Sequence, residues 1–270
     1  MTLTEEEVAR IQGCFTEPAY RDDVGNGVLD QALQENRAFN RWYHTNTRAH
    51  KRDGYRSVTL TLKKTGRIPG DVSDEQLEAI ADLADRYSFG ELRNTHQQNM
   101  VLSDVATDEL FELWEKLDAL GMATPNLGLL TDIVACPGGD LCALANAKSV
   151  PVAEGIQRRF DDMDYVHDLG PLDINISGCM NACGHHHIGH IGILGVDKKG
   201  KEFYQITLGG RGDKLSRIGE KMGPSFESYE VTDVIEKIIN VYVDKRLENE
   251  PFIDTYERIG MEPFKEHVYG

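Results

Sequence analysis

The apolar positions of this chain change period several times, and each change marks an element. Ser57-Val-Thr-Leu-Thr-Leu62 alternates and is rich in β-branched residues, which predicts a strand. Ser73–Arg86 carries apolar residues at helical spacing behind a Ser73/Gln76 capping box, and Leu92–Leu102 returns to a period of two. Together they form a β-α-β unit, and one helix leaves its apolar sheet face half covered. Thr107–Leu120 sets Leu110, Phe111, Trp114, Leu117 and Leu120 at core spacing and stops at Gly121, so this stripe is packing. Further on, a helix rich in small residues is expected from Cys142 through Phe160, strands over Leu172–Ser177, Ile188–Val196 and Glu202–Leu208, and an amphipathic closing helix over Thr232–Leu247. Residues 1–54 are polar and irregular, with short helical patterns at Glu5–Ile11 and Asn36–His44. The expected division is an extension (1–54), a β-α-β module (55–122) and a second domain (123–270), in an α+β protein.

A length of 270 residues allows one large domain or two small ones with real cores. The net charge of −16 argues against nucleic acid as the main partner and favours a soluble, cytoplasmic chain. No run approaches the ~18 apolar residues of a membrane span, and no secretory signal is evident.

Chemistry concentrates in the cysteines. Four of the five, Cys136, Cys142, Cys179 and Cys183, lie in Ala135-Cys-Pro-Gly-Gly-Asp-Leu-Cys142 and Ser177-Gly-Cys-Met-Asn-Ala-Cys-Gly184, spaced C-x5-C and C-x3-C. Four thiolates need a metal centre or protons to offset their charge, and small neighbours let backbone N–H groups approach sulfur. Structural zinc suits the second pair but not the first. Disulfides are disfavoured by the odd count and the lack of a signal, whereas a four-iron cluster tolerates wide, looped spacing. Spacing alone leaves cluster, zinc and inert thiols open. Cys14 stands by itself and reads as an idle thiol; Arg48, His50, Lys51 and Arg52 read first as a solvated loop, with contact to an anionic cofactor as the alternative.

The residues themselves go further than their spacing. C-x5-C followed by S-G-C-M-N-A-C-G resembles the sirohaem and [4Fe–4S] signature of the assimilatory sulfite and nitrite reductases, and the chain from about Tyr55 onward is similar to the second of that family's two similar halves. The resemblance implies a ferredoxin-like half-module followed by an α/β sirohaem- and cluster-binding domain with a mixed sheet. It implies that Cys136, Cys142, Cys179 and Cys183 hold the cluster, and that Cys183 is also the axial ligand of the sirohaem iron, the catalytic bridge. Arg93-x-Thr95-x-x-Gln98-Asn99 resembles the segment lying against the macrocycle, so Arg93, Thr95, Gln98 and Asn99, with Asn181, are cofactor-binding candidates. Leu208-Gly-Gly-Arg211 resembles a loop near the sirohaem, which adds Arg211, Lys214 and Arg217 for its carboxylates.

The implied reaction is reduction of sulfite to sulfide, with nitrite to ammonia as runner-up, fed by a ferredoxin or flavoprotein donor. The family's anion-binding cations belong to its other half. Here His96-Gln97-Gln98 stands at the corresponding T-x-R-Q site, and no lysine lies in Asp173–Gly184. A similar N-terminal half or a second copy of this chain is therefore expected to complete the pocket. The alternative is a non-catalytic cluster- or zinc-binding module used for structure or electron relay. His185, His186, His187 and His190 invite a zinc reading, but alternation along a strand would split them between two faces, which favours hydrogen bonding around the cofactor edge.

Overall fold

In the computed structural model, which describes residues 2–270, two sheets each organise a core of their own. The first part runs α1 (Glu5–Gln12), α2 (Gly27–Glu35), α3 (Arg37–Asn46), β1 (Thr47–Ala49), β2 (Tyr55–Leu60), α4 (Asp74–Tyr87), β3 (Arg93–Asn94), β4 (Met100–Ala106) and α5 (Leu110–Ala119). Its antiparallel sheet has the order β1-β2-β4-β3. The second part runs β5 (Val134–Ala135), α6 (Val150–Arg159), α7 (Met163–Leu169), β6 (Ile174–Ser177), β7 (Ile191–Asp197), β8 (Glu202–Leu208), β9 (Glu220–Lys221), β10 (Phe226–Glu227), α8 (Val231–Lys245), α9 (Phe252–Ile259) and α10 (Glu262–Tyr269). Here the order is β10-β8-β7-β6-β5, with β9 also on β8; β5, β6 and β7 are parallel and the other pairings antiparallel. The mixed sheet and the α+β class agree with expectation.

Local chemistry explains most boundaries. Ser73 caps α4 in a reciprocal capping box with Gln76, as its sequence predicts. The apolar stripe of α8, with Ile235, Ile238 and Ile239 fully buried, closes the second sheet against Ile174, Ile176, Ile191 and Ile193. Each such side chain contributes about 1.5–3 kcal/mol by leaving water.

Four expectations need correction. The strand predicted over Leu92–Leu102 is a hairpin, β3 and β4, because Gln98 adopts a left-handed φ of 57° and Asn99 bonds back to Thr95. Arg93 and Thr95 stay together on one arm, but the amide side chains of Gln98 and Asn99 do not continue their period-two face. The sheet face is not left half covered: Leu29, Phe39 and Trp42 of α2 and α3 join α4 and α5 in the same core. Short amphipathic helices in a polar stretch hide that contribution. The helix expected from Cys142 begins only at Val150, because residues 138–149 fold back so that Gly139 bonds Ala147 and both Asn146 and Ala147 bond Gly178. Finally, His185–Ile188 is no strand. His185 is left-handed and His186–Ile188 forms a 3-10 turn, so the alternation argument for the histidines falls. Among the described residues no helix is long and apolar enough to cross a membrane.

Candidate cofactor site

Parallel pairing of β5 with β6 brings the two cysteine motifs together, since each strand ends where its motif begins. Cys136 donates its N–H to Ile176 O at 3.1 Å, and the Gly178 N–H points at Cys136 Sγ, also at 3.1 Å. Ser149, at the start of α6, sets its hydroxyl 3.4 Å from the same sulfur. A thiolate at Cys136 thus has an N–H donor, a hydroxyl and a helix N-terminus beside it, all of which favour negative charge. The approach depends on missing side chains. A Cβ on Gly184 would sit 1.9 Å from Ile176 O, and one on Gly178 would sit 2.6 Å from Ala147 O.

All five cysteines are free; Cys136 and Cys179 are buried, Cys142 is half-buried, and Cys183 and Cys14 are exposed. Among the described residues, no group of three or more Cys, His, Asp or Glu is gathered tightly enough to hold one metal ion. A single zinc needs its donors around one point, while a cube spreads four irons over separate points. The donor set of soft thiolates, one already receiving a backbone N–H, fits the cluster better than a lone ion.

The other expected cofactor contacts are placed unevenly. Arg93 is exposed and paired with Glu91 at 2.7 Å, and with Thr95 it opens onto a cleft of about 790 Å³. His50 and Lys51, whose basic run left both a solvated loop and contact with an anionic cofactor open, line the same cleft. Their sequence signal was a basic run without visible partners. Asn181 is exposed beside Cys183, and Met180 next to it is 82% exposed. Gln98 and Asn99 point inward: the Gln98 carboxamide bonds the main chain of Ala135, and Asn99 bonds Leu62 N and Asp132. Arg211 is held by Asp213 and Glu257, Arg217 shares Glu257, and only Lys214 of this trio has no ion pair among the described residues.

A second cavity, of about 250 Å³, lies between the two parts and is lined by Asp132, Asp173, Asp213, His96, His185 and His190. It has no lysine or arginine in its wall. Burial pushes His190 below the ordinary histidine range, with Asp173 opposing. Next to it, burial and the neighbouring His187 bring His186 down to about 4. Asp132 is pushed up by burial and Lys63 down, and their 3.5 Å pairing opposes both shifts. A wall with three aspartates and no lysine or arginine repels an oxyanion.

Comparisons with known proteins agree with this geometry. Residues 129–270 match the nitrite and sulphite reductase 4Fe-4S domain, and residues 49–120 match the nitrite/sulfite reductase ferredoxin-like half domain. A sulfite reductase [ferredoxin] 2 of Mycolicibacterium paratuberculosis is 33% identical over 68% of this chain and 35% of its own length. A chloroplastic ferredoxin–nitrite reductase of Zea mays is 29% identical over 79% of this chain and 38% of its own. The solved structure of the Mycobacterium tuberculosis NirA protein superposes with a TM-score of 0.66 at 29% identity, covering 82% of this chain and 41% of that one. A dissimilatory sulfite reductase I structure, 15% identical with a TM-score of 0.66, shares the fold. The chain spans little more than a third of the length of these curated relatives. Such relatives imply a [4Fe–4S] cluster and sirohaem as the cofactors. With more than half of its residues inside the 4Fe-4S domain and β2, β3 and β4 of its first sheet inside the half domain, the chain belongs to the nitrite and sulphite reductase family.

Proposed function

We propose that this chain is the cluster- and sirohaem-bearing part of a reductase that converts sulfite to sulfide, with nitrite to ammonia as the second substrate class. Cys136, Cys142, Cys179 and Cys183 would hold the cluster, and Cys183, exposed at the rim, would be the ligand shared with the sirohaem. When bound, these groups supply one-electron chemistry that side chains cannot. The chain's own residues do the rest. The Gly178 N–H damps the charge on Cys136, Arg93 and Thr95 with His50 and Lys51 line the cleft that would take the macrocycle's carboxylates, and Lys214, with no ion pair among the described residues, would add a cation. A ferredoxin or flavoprotein is the proposed donor.

The observation that carries this reading is the Gly178 N–H on Cys136 Sγ, where a C-x5-C and a C-x3-C motif are knitted by backbone contacts that only glycine permits. Replacing Cys136 with Ser is expected to strip both iron and inorganic sulfide from protein purified without air. Full retention of both would remove Cys136 from the ligand set.

The acidic and histidine-lined cavity leaves the substrate's cations to be supplied from outside. Leu141, Leu144 and Met180, each more than 70% exposed on the two cysteine loops, support closure of the site by a similar N-terminal half or a second copy.

A further inference from the structure

Of the residues that family likeness assigns to cofactor contact, Gln98 has a side chain already committed elsewhere. Its Nε2 donates to Ala135 O at 2.7 Å, and the Ala135 N–H donates to its Oε1 at 3.0 Å. Ala135 immediately precedes Cys136. In its parallel pairing with Ile176, the bond across the strands is made by Cys136 N, so the N–H and C=O of Ala135 face away from β6. One carboxamide satisfies both, as a neighbouring strand would. Ala135 is 4% exposed, so without Gln98 both groups would be buried and unpaired.

The presentation of that amide is itself built. Gln98 sits at a left-handed φ of 57°, which a non-glycine residue keeps only when its surroundings over-determine it. Gly70 packs so closely on it that an added Cβ would lie 3.0 Å from Gln98 Cβ. Two neighbours grip the same short segment. Asn99 Nδ2 donates to Asp132 Oδ1 at 3.0 Å, and the buried Lys63 Nζ donates to Ile133 O at 2.8 Å and to Gln97 O at 3.0 Å. Residues 132–135, the approach to the first cysteine, are thus clamped by side chains of the other sheet.

We infer that Gln98 is a positioning residue for the cluster rather than a contact of the macrocycle: it sets the main-chain path into Cys136 and holds that sulfur under the Gly178 N–H. The inference rests on the cluster reading above. Removing the amide leaves Ala135 several ways to settle, so the Cys136 sulfur meets iron in a spread of geometries and lets go of it sooner. The donor half of the clamp has a chemical signature. In Gln98→Glu an ionised carboxylate still accepts from Ala135 N but opposes Ala135 O, and once protonated it donates again.

The test uses the full cluster-loaded chain, with iron release to a ferrous chelator and the electron paramagnetic resonance of the reduced cluster as readouts. Gln98→Leu, and Gln98→Glu at about pH 8.5, are expected to release iron about tenfold faster than wild type and to broaden the resonance, with the far-ultraviolet dichroism of wild type. At about pH 6, Gln98→Glu should move back towards wild type while Gln98→Leu does not. Should Gln98→Leu fail to fold, Gln98→Glu still decides through its pH dependence. If a wild-type chain holds its cluster and Gln98→Glu matches it at both pH values in rate and line shape, the inference is overturned. A wild-type chain that takes up neither iron nor sulfide overturns the cluster reading, and the inference with it.

Discussion

Single residues carry the sharpest tests. Cys183 is exposed beside Gly184, whose backbone packs against Ile176 of β6 and close to the Cys136 N–H, so the Cys183 sulfur lies near the other cysteine motif and keeps an open side for a second iron. Cys183→Ser is expected to abolish magnetic coupling between sirohaem and cluster, and coupling that survived would assign the bridge to another residue. His186 makes a different prediction. It is buried, its ring stacks on His187 at 4.0 Å and its Nδ1 has no partner among the described residues; burial, and then the charge of His187, bring its titration down to about 4 from 6.5. The unfolded chain therefore takes up the proton first. Stability from this group is intact above about pH 6.5 and is lost as pH falls towards 4. Thermal midpoints at about pH 7.5 and about pH 5 should show that fall in the wild type and a smaller one in His186→Phe; equal slopes would place the cause elsewhere.

Elements decide what those residues can reach. The 3-10 turn at His186–Ile188 and the left-handed Ala182 and His185 fold the second cysteine loop back on β6, and this path needs Gly184. Gly184→Ala would drive a methyl to 1.9 Å from Ile176 O, a contact with backbone that cannot swing aside. The expected loss is about 1–3 kcal/mol or more, read as a lower denaturant midpoint. As a contrast, Ser73→Ala removes one side of the α4 capping box, outside both cysteine loops. It should cost about 1 kcal/mol and leave iron content unchanged. If both variants lost iron equally, general instability and not loop geometry would be setting cluster retention.

At the scale of the whole molecule, charge and pocket chemistry bear on partnership. The chain carries a net charge of −16, its inter-sheet cavity is walled by carboxylates and histidines, and two of its three loop cations are bound internally. Two copies could cover the exposed Leu141, Leu144 and Met180, but neither would bring the lysine and arginine that an oxyanion needs. The isolated, cofactor-loaded chain is therefore expected to associate with itself and to show little sulfite or nitrite reduction, while addition of a basic, similar half restores turnover. A monodisperse monomer reducing sulfite at the rate obtained with that half would show that the cations are dispensable.

The capping box at Ser73, the stripe of α8, the strand Glu202–Leu208 and the cysteine motifs were all legible in the chain, because each is written in residues a few positions apart. Period, caps and ligand spacing are local properties, so they survive without a fold. What the chain did not reveal depends on contacts between distant segments. Nothing local marks Phe39 and Trp42 as core for a sheet that starts later, or breaks Leu92–Leu102 into a hairpin around Gln98. The delayed start of α6 follows from bonds to Gly178, which lies in another element. Gln98 shows the limit most clearly: its motif suggested a face turned to a cofactor, while the tertiary structure turns its amide inward, because the Ala135 N–H and C=O beside Cys136 had no other partner.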